Sequence, residues 1–313
     1  MKCSIIIVTY NAKEYTDICL KKLLVSTLDE DIELVLFDNN STDGVKNVIN
    51  ALAGQKNIKV VLNDINLGFA KGNNEAIKYA KGEYIFLLNP DTEIDMANVR
   101  KLINFLNDNP KVGVVGPKIY DSTGLVQESY GFDMTILSEF LGKIFGSVYI
   151  QNLPIIRNIR MQYFDKRELT TVGWIGGAAL MMRNTLFKEI GGIDPYFFYS
   201  AGDMVDLCAS VKKVGFDVVF YPHATMTHKG GASNVKDKVQ ALKSSLDGSL
   251  YFFKKHRGAG TVFLMKLVYA IISFIKAVTA LILAIFKDEK IFFDISKSHL
   301  INSYWLIRKL FVL

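Results

Sequence analysis

The sequence predicts an α/β protein with a mostly parallel central sheet and flanking helices. Short apolar runs with strand character alternate with helical patterns through the first half of the chain, and this alternation is typical of βαβ units, which build parallel sheets. The composition agrees with this class, because 50% of the 313 residues are hydrophobic and only six are proline. A chain of this length can bury a sizeable core in one large or two small domains.

The first four strands and four helices can be placed from their patterns. Each apolar run is short enough for a strand and is followed by a segment whose apolar residues have helical spacing. The predicted strands are 5–8, 32–37, 58–62 and 83–88, and the helices that follow them are 14–24, 43–52, 69–80 and 95–106.

The second half of the chain is less regular. The Gly-Val-Val-Gly-Pro run at 113–117 predicts a break, and the poorly patterned residues from 119 to about 169 predict a loop-rich insertion. Regularity returns at 172–183, where we expect a turn and an apolar strand, followed by a short helix that Gly191-Gly192 ends. The last elements predicted before the tail are a helix over 203–214, closed by Gly215, and a strand over 216–221, ended by Pro222.

The carboxyl-terminal segment differs in kind. Residues 261–286 are almost entirely apolar. At 100° per residue, most of the polar side chains of this run fall within one sector of roughly 80°. Two lysines that flank the run in sequence fall within the same sector. These residues are Lys255, Lys266, Ser273, Lys276 and Lys287. The pattern predicts a narrow cationic stripe along an apolar helix.

The net charge of the chain resides in this tail. From residue 251 to 313, ten Lys or Arg residues stand against three acids, a net +7, whereas the whole chain carries +6. The helix could lie in a membrane interface with its lysines at anionic head groups, cross the bilayer, or pack on the protein or a second subunit. A crossing would place Lys276 near the bilayer centre at a cost of about 2.5–3.5 kcal/mol, which favours the in-plane arrangement.

The cysteines and the amino terminus give no sign of a secreted protein. Cys3, Cys19 and Cys208 have no metal or redox spacing and are predicted to be reduced, buried thiols. The apolar stretch at the start of the chain is only a few residues long, and we interpret it as the first strand rather than a signal peptide. We therefore expect the protein on the cytoplasmic side.

Polar residues follow three of the predicted strands at the point where each strand ends. They are Thr9-Tyr10-Asn11 after the first strand, Asp-Asn-Asn-Ser-Thr-Asp at 38–43 after the second, and Asn89-Pro90-Asp91 after the fourth. The carboxyl ends of parallel strands line one edge of the sheet, and open α/β sheets bind ligands there. The sequence therefore predicts a ligand site at this edge.

Taken in order, these clusters resemble the nucleotide-sugar site of the inverting family 2 glycosyltransferases with the GT-A fold. The resemblance covers residues 3 to about 234 and implies a Rossmann-like GT-A domain followed by the apolar and basic helical tail. It implies a nucleotide-sugar-binding half at 1–115, an acceptor-binding and catalytic half at 116–250, and a membrane-associating amphipathic region at 251–313.

The resemblance assigns the first two clusters to the nucleotide. Thr9 and Tyr10 line the base and ribose, and Asn11 belongs to the same group. Asp38 accepts a hydrogen bond from the imide NH of uracil or thymine, which favours a UDP- or dTDP-sugar. The alternative for Asp38 is turn and helix-cap duty, the role that we assign to Asp43.

The stretch 66–74 resembles the Asn-x-Gly-Phe-Ala-x-Gly-x-Asn run of the family. Asn66 and Gly68 form a turn that brings backbone close to the nucleotide, and the helix that starts there favours the anionic diphosphate. Lys71 either adds a charge to this site or is solvated.

A divalent cation is implied by the leaving group. Mg²⁺ or Mn²⁺ can neutralise a diphosphate with few protein ligands, because the phosphates supply the others. Asp91 is the implied carboxylate ligand, whereas Asn89 replaces the first Asp of the full motif and can bond a ribose hydroxyl. His228 lies in a His-Lys-Gly-Gly run that matches the family, and it either completes the site, contacts the diphosphate or is structural.

Inversion by direct displacement needs a base near the acceptor hydroxyl, ordinarily the Asp of a Glu-Asp pair at the start of a helix. Counting from Asp194 places Asp203 at the base and Gly202 at the missing Glu, whereas counting back from Cys208 places Met204 at the base. We prefer Asp203, with Asp206 in support, because methionine cannot take a proton. Ser210 replaces the Arg that often follows the Cys in this family.

The motifs imply a metal-dependent hexosyltransferase of a rhamnosyltransferase-like branch. The donor would be dTDP-L-rhamnose or a UDP-hexose, the acceptor a lipid-linked cell-surface glycan, and Trp174 and Gly177 would belong to the sugar-binding part. The alternatives are a nucleotide-sugar-binding subunit that has lost catalysis, suggested by Gly202 and Met204, and a polyprenyl-phosphate sugar transferase, which normally lacks the Trp and Gly-Gly signature.

The implied setting is the inner face of the cell membrane. Residues 255–313 would make a peripheral membrane contact, a homo-oligomer is compatible with the tail, and we expect no nucleic-acid partner. The resemblance does not name the sugar, the acceptor or the linkage.

Overall fold

The computed structural model describes residues 1–25, 28, 30–145, 167–197, 202–230, 238–287 and 290–308. Contacts divide the chain into two compact units, Met1–Asp133 with Arg160–Ser245, and Met134–Ile159 with Leu246–Leu313. Three predicted segments lie outside the described residues: 146–166 of the insertion, 198–201 of the base motif and 231–237 after the His-Lys-Gly run.

The described strands follow the predicted order, with several short additions. They are β1 (Cys3–Thr9), β2 (Ile32–Asp38), β3 (Ile58–Leu62), β4 (Tyr84–Leu88), β5 (Thr92–Glu93), β6 (Val112–Tyr120), β7 (Tyr130–Gly131), β8 (Thr170–Thr171), β9 (Trp174–Ile175), β10 (Ala179–Arg183) and β11 (Asp217–His228).

The described helices include the four predicted in the first half. They are α1 (Lys13–Leu23), α2 (Val45–Asn50), α3 (Gly68–Ile77), α4 (Met96–Asp108), α5 (Ile136–Phe145), α6 (Asn184–Glu189), α7 (Asp203–Lys213), α8 (Lys238–Arg257), α9 (Ala259–Lys287) and α10 (Lys290–Arg308).

The first unit contains a mixed sheet in the strand order β3-β2-β1-β4-β10-β6-β11-β5, with β8 paired to β11. β1 runs parallel to β2 and β4, and β2 runs parallel to β3. β10 lies antiparallel between β4 and β6, and β11 returns parallel to β6. The prediction of a mostly parallel sheet is therefore confirmed, with β10 and the short edge strands as the antiparallel members.

Both faces of this sheet are covered by helices. Alternate residues of β1, such as Ile5 and Ile6, belong to two different clusters of buried side chains. The first cluster includes residues of α1, α2 and α4, and the second includes residues of α3, α6 and α7. Burial on both faces explains why these strands appear in the sequence as continuous apolar runs.

The predicted break at 113–117 is wrong, because these residues lie inside the nine-residue strand β6. The glycines are needed there for close packing rather than for a turn. A Cβ on Gly116 would come within 2.3 Å of Ile175 Cγ2, and one on Gly113 would come within 2.7 Å of Leu186 and Val211. Pro222 likewise does not end β11, which continues to His228 past an irregularity between Tyr221 and Thr225.

The prediction for the cysteines is confirmed. Cys3, Cys19 and Cys208 are buried and form no disulfide. Desolvation raises the pKa of the Cys3 thiol and raises those of Cys19 and Cys208 to about 12.

The second unit includes α5, α9 and α10. α9 and α10 pack side by side through small residues: Ser296 Oγ donates to Ala277 O at 2.8 Å, and Ser303 Oγ donates to Ala270 O at 2.9 Å. The later residue of α10, Ser303, bonds to the earlier residue of α9, Ala270, so the two helices run antiparallel. By length and composition alone, residues 259–285 could cross a membrane, a test that the core helix of a soluble protein also passes.

The predicted outward orientation is wrong for two members of the lysine stripe, Lys266 and Ser273. Lys266 and Ser273 are both 8% exposed, and Lys276 is half-buried. The exposed side of α9 instead carries large apolar side chains, among them Phe274, Ile282 and Ile285. Tyr269, another buried residue of α9, donates its hydroxyl to Glu139 Oε1 of α5 at 2.7 Å.

Candidate active site

The loops after β1 and β2 are joined by hydrogen bonds. Thr9 and Asp38 occupy paired positions at the ends of their strands. Asn11, at a φ of 49°, donates from its backbone N to Ser41 Oγ at 2.9 Å. Its side-chain oxygen accepts from the Thr42 backbone N at 2.7 Å. Asn11 therefore orders the two predicted nucleotide loops relative to each other.

Asp38 is buried and is used by its own loop. Its carboxylate accepts from the Ser41 backbone N at 3.0 Å and lies 3.7 Å from Lys46 Nζ. This is the turn role that the sequence offered as an alternative, and recognition of a base by Asp38 stays a prediction. Asp43 accepts from the backbone N–H of Lys13 and of Val45, the first residues of α1 and α2, which agrees with its assignment to capping.

Asn39 is a residue of this edge that sequence reasoning missed. Its amide NH₂ donates to Asn66 Oδ1 at 3.0 Å and to Gly68 O at 3.1 Å, and its Oδ1 accepts from Leu67 N at 2.9 Å. Three hydrogen bonds from one buried side chain therefore fix the glycine turn. The only sequence signal was its position directly after Asp38.

The glycine turn has the backbone conformation that the motif implies. Gly68 has a φ of 75° and begins α3, and Gly72 lies so close to Val8 and Asn39 that a Cβ would meet both at about 3.1–3.2 Å. Tyr10 and Lys71 are exposed, Tyr10 at 46%. The turn thus brings the amino terminus of α3 to the edge formed by β1 and β2, where a helix amino terminus favours an anion.

Asp91 and His228 meet although they are far apart in the chain. β5 pairs with β11 so that Thr92 lies opposite His228, and the Lys229 backbone N donates to Asp91 O at 2.9 Å. This pairing places His228 Nε2 3.2 Å from Asp91 Oδ1, with both side chains largely buried. The structure therefore brings together the two residues that the resemblance implied as ligands.

The donor set of this pair fits a divalent cation that is shared with a ligand. A carboxylate oxygen and a ring nitrogen lie 3.2 Å apart, close enough that Asp91 and His228 would both reach one ion. Within the described part of the chain, no group of three or more His, Cys, Asp or Glu could hold a metal ion. The pair suits an ion whose other ligands come from phosphate and water.

His228 has a second partner, Gln127, that the sequence did not indicate. Nδ1 of His228 lies 2.9 Å from Oε1 of Gln127. Gln127 follows a turn that Asp121 builds, and its backbone N donates to Ile119 O at 2.8 Å. Nothing in the local pattern of this poorly patterned region pointed to Gln127.

Asn89 and Gly177 connect the region of Asp91 and His228 to the strand that follows Gly176-Gly177, the Gly-Gly signature. Asn89 N donates to Ala178 O at 3.0 Å, and Asn89 O accepts from Thr92 Oγ1 at 2.6 Å. A Cβ on Gly177 would lie 3.3 Å from both Phe69 and Met204. Gly177 therefore lets the start of α3 and the start of α7 approach each other.

Trp174 contributes to packing on the second small sheet. Its indole lies so close to Gly131 of β7 that a Cβ there would come within 2.5 Å of the ring. Trp174 is half-buried, so part of its surface remains accessible. A contact between Trp174 and a sugar stays a prediction.

The start of α7 carries the two acids proposed for catalysis. Gly202 precedes the helix with a φ of 99°, and Asp203 is its first residue. Asp203 and Asp206 are each 2% exposed, and Asp203 Oδ1 accepts from the Met204 backbone N at 2.7 Å. Met204 lies in the apolar cluster that also includes residues of α3 and α6.

Asn74 ties α3 to the segment that leads to these acids. Its Nδ2 donates to Ile193 O at 2.7 Å, and its Oδ1 accepts from Ile193 N at 3.0 Å. The paired bonds fix the turn that follows Gly191-Gly192. The nucleotide motif and the acid motif are thus held on one side of the sheet by contacts that Asn74 and Gly177 allow.

Comparison with known proteins identifies one family. A sequence model described as Glycosyl transferase family 2 matches residues 4–190, which is more than half of the chain. The matched span includes β1 to β5, the glycine turn and Gly177.

Individual relatives agree with this match. The chain is 26% identical over 267 residues to an N-acetylglucosaminyl-diphospho-decaprenol L-rhamnosyltransferase of Mycobacterium tuberculosis, covering 82% of this chain and 85% of that protein.

Solved structures share the fold at lower identity. A mannosyltransferase of Pyrobaculum calidifontis in complex with GDP-Man and Mn²⁺ is 14% identical, with a TM-score of 0.57 over 99% of this chain and 87% of that one. TarS of S. aureus in complex with UDP-GlcNAc is 16% identical, with a TM-score of 0.55 over 85% of this chain and 70% of that one. The chain also matches longer solved structures of which it spans less than half.

Proposed function

The chain belongs to glycosyl transferase family 2, and from this premise we propose that it is an inverting, metal-dependent enzyme that moves a sugar from a nucleotide sugar onto a lipid-linked cell-surface glycan. The observation that carries the proposal is the contact between Asp91 and His228 at 3.2 Å, at the edge of a GT-A sheet. On this proposal the pair would hold a cation beside the diphosphate of the donor.

The preferred donor is dTDP-L-rhamnose, with UDP-hexoses as the next candidates. The rhamnosyltransferase relative, which matches over most of both chains, supports this choice and also supports a polyprenyl-diphosphate-linked acceptor. We assign recognition of a uracil or thymine base to Asp38. Its carboxylate accepts a hydrogen bond from Ser41 N and would accept a second one from the imide NH of the base.

Asp91 and His228 would hold Mg²⁺ or Mn²⁺ through a carboxylate oxygen and Nε2. When bound, the cation neutralises negative charge that develops on the departing diphosphate. The amino terminus of α3, fixed by Asn39 and the turn at Gly68, adds backbone N–H groups and a favourable helix dipole on the same edge.

The transfer step needs a base, and we assign it to Asp203. Its carboxylate takes the proton of the acceptor hydroxyl while the acceptor oxygen forms a bond to the anomeric carbon of the sugar. The bond from that carbon to the diphosphate oxygen breaks, and the nucleoside diphosphate leaves with the electron pair. Because attack and departure occur on opposite faces, the configuration of the anomeric carbon inverts.

The second unit would hold the enzyme at the cytoplasmic face of the membrane, where a lipid-linked acceptor resides. Its exposed side chains are predominantly large and apolar along α9, while Lys266, Ser273, Ser296 and Ser303 are buried. A soluble unit has the opposite arrangement, and a large exposed apolar patch marks an interaction surface. The exposed basic residues Lys254, Lys255 and Arg257 at the end of α8 suit anionic head groups.

The decisive test is the metal dependence of nucleotide binding. Asp91→Ala removes one of the two protein ligands, so calorimetry should show that dTDP or UDP no longer binds more tightly with Mn²⁺ than without it. Asp108→Ala, which removes an exposed carboxylate at the end of α4, is the matched control and should bind as the wild type does.

Two results would contradict the proposal. Unchanged affinity and unchanged metal dependence in Asp91→Ala would remove Asp91 from the site. A wild-type protein that binds no nucleoside diphosphate and hydrolyses or transfers no nucleotide sugar would contradict the enzyme assignment as a whole.

A further inference from the structure

We propose that Gln127 is a positioning residue that sets the tautomer and the orientation of the His228 ring. The inference rests on the proposed function in so far as His228 is a ligand of a cation. It concerns a residue outside the span 9–91 that carries the nucleotide motifs, on a hairpin that those motifs do not include.

The position of Gln127 is fixed by its own hairpin. Asp121 accepts from the backbone N of Thr123 at 2.8 Å and of Leu125 at 3.0 Å, which makes a tight turn. The returning chain pairs Val126 with Tyr120, and the Gln127 backbone N donates to Ile119 O at 2.8 Å. The hairpin therefore presents Gln127 beside β11, which lies parallel to β6.

The hydrogen bond between the two side chains determines where the ring proton lies. Gln127 Oε1 lies 2.9 Å from His228 Nδ1, and an amide oxygen can only accept a hydrogen bond, so with the amide in this orientation Nδ1 is the donor. In the neutral ring, the other nitrogen then carries a lone pair. That nitrogen, Nε2, is the one that lies 3.2 Å from Asp91 Oδ1.

As a consequence, the lone pair of His228 Nε2 and the carboxylate of Asp91 are both available to bind one cation. A ligating imidazole is commonly held by a partner at its second nitrogen, and loss of such a partner typically lowers metal affinity by about 10–100-fold. Without Gln127, the ring proton could move to Nε2 and form a hydrogen bond to Asp91. Neither His228 Nε2 nor this Asp91 oxygen would then have its lone pair available for a cation. Gln127 would prevent this arrangement.

The first test needs neither metal nor nucleotide. In the protein labelled with nitrogen-15 at the histidine rings, NMR chemical shifts measured at alkaline pH distinguish a protonated ring nitrogen from one with a lone pair. The protein has four histidines, so the signals of His228 are assigned by their absence in His228→Asn. We expect the Nδ1–H tautomer in the wild type and in Gln127→Glu, which keeps an acceptor, and a mixture or the Nε2–H tautomer in Gln127→Leu.

The second test measures the cation. The affinity of Mn²⁺ together with dTDP or UDP, by calorimetry, should fall by about 10–100-fold in Gln127→Leu and recover in Gln127→Glu. Gln55→Leu, a change on the loop between α2 and β3, is the control and should leave the affinity unchanged.

The outcomes separate this inference from the proposed function. An Nε2–H tautomer in the wild type, or an unchanged tautomer in folded Gln127→Leu, overturns the positioning role whatever the enzyme does. Loss of affinity in both Gln127→Leu and Gln127→Glu would also overturn it, because the conservative variant keeps the acceptor. If the tautomer responds as expected but the wild type binds no metal with nucleotide, the positioning role stands and the proposed cation site fails.

Discussion

Asp203 lies at a point of the chain where the backbone conformation is specialised. The φ of 99° at Gly202 is in the region that favours glycine, and it lets the chain enter α7 with Asp203 as the first helical residue. Asp206 follows one turn later, close enough to orient Asp203 or to stabilise the amino terminus of the helix. Both carboxylates are buried, which makes them candidates for catalysis rather than for solubility.

The roles of these two acids can be separated by amide substitutions. Asp203→Asn keeps the size and the hydrogen bond to Met204 N but cannot take a proton, so transfer should fall by at least about 10²-fold while donor binding changes little. Asp206→Asn should lower the transfer rate by less, or lower it only by reducing the stability of the fold. Transfer rates and donor affinities of both variants are the measurement. Wild-type transfer by Asp203→Asn would exclude this register, and an inactive but folded Asp206→Asn would move the base to Asp206.

At the scale of elements, β6 shows how a strand can carry glycines without breaking. Gly113 and Gly116 lie on a strand that is paired on both sides, with β10 and with β11. The absent side chains leave room for Leu186, Val211 and Ile175. A local pattern that predicts a turn therefore gives way to pairing and packing with elements that come much later in the sequence.

Substitution of Gly116 tests this explanation. Gly116→Ala puts a methyl group 2.3 Å from Ile175 Cγ2, and overpacking of this kind typically lowers the free energy of unfolding by about 1–3 kcal/mol. Urea denaturation should show this loss, and Gly142→Ala, on α5 with open space around it, should show none. In the double variant with Ile175→Ala, the loss should be smaller than the sum of the two single losses. Additive losses would mean that the contact with Ile175 is not the cause.

At the scale of the whole molecule, the polarity of α9 and α10 bears on where the protein works. Lys266 and Ser273 of α9 are buried and the large apolar side chains of α9 face outward, so insertion of that apolar side into a bilayer is expected to bury Phe274 and Ile285, which are 55% and 67% exposed. Attraction by the basic end of α8 should make binding weaken as salt rises.

Vesicle sedimentation tests the membrane contact. Replacing Phe274 and Ile285 by Glu should release the protein from anionic liposomes, whereas Val25→Glu, at an exposed apolar position of the first unit, should not. Nucleotide binding should be unchanged in all of these variants. A wild-type protein that does not sediment with anionic liposomes but is dimeric by light scattering would show that the apolar side joins two copies.

The buried thiols predict how stability depends on pH. The pKa of Cys208 is raised to about 12 by burial, whereas an exposed thiol has a pKa of about 8.5. Because the pKa is higher in the folded state, the stabilising contribution is complete below about pH 8.5 and is lost as the pH rises towards about 12, at about 1.4 kcal/mol per pH unit per thiol.

Urea denaturation at several alkaline pH values checks this linkage. The wild type should lose stability more steeply above about pH 8.5 than Cys208→Ala does, because the variant has one thiol fewer to ionise on unfolding. Parallel pH profiles of the two proteins would show that Cys208 is already ionisable in the folded state.

The sequence by itself determined the order of elements in the first half, the family and the places of Thr9, Asp38, Gly68 and Asp91. These features depend on short-range patterns: apolar runs that fill a doubly covered sheet, polar residues directly after strands, and glycines at turns. Because parallel strands end at one edge, the sequence also predicted that these motifs would lie close together.

The tertiary structure decided what depends on pairing between distant segments. The antiparallel pairing of β5 with β11 places His228 at Asp91, and the hairpin at Asp121 places Gln127 at His228. The packing of α10 on α9, with Ser296 and Ser303 bonded to backbone carbonyls of α9, accompanies the inward orientation of Lys266. Periodicity shows which side chains share a face of a helix, but only the neighbours of that helix determine which face is buried.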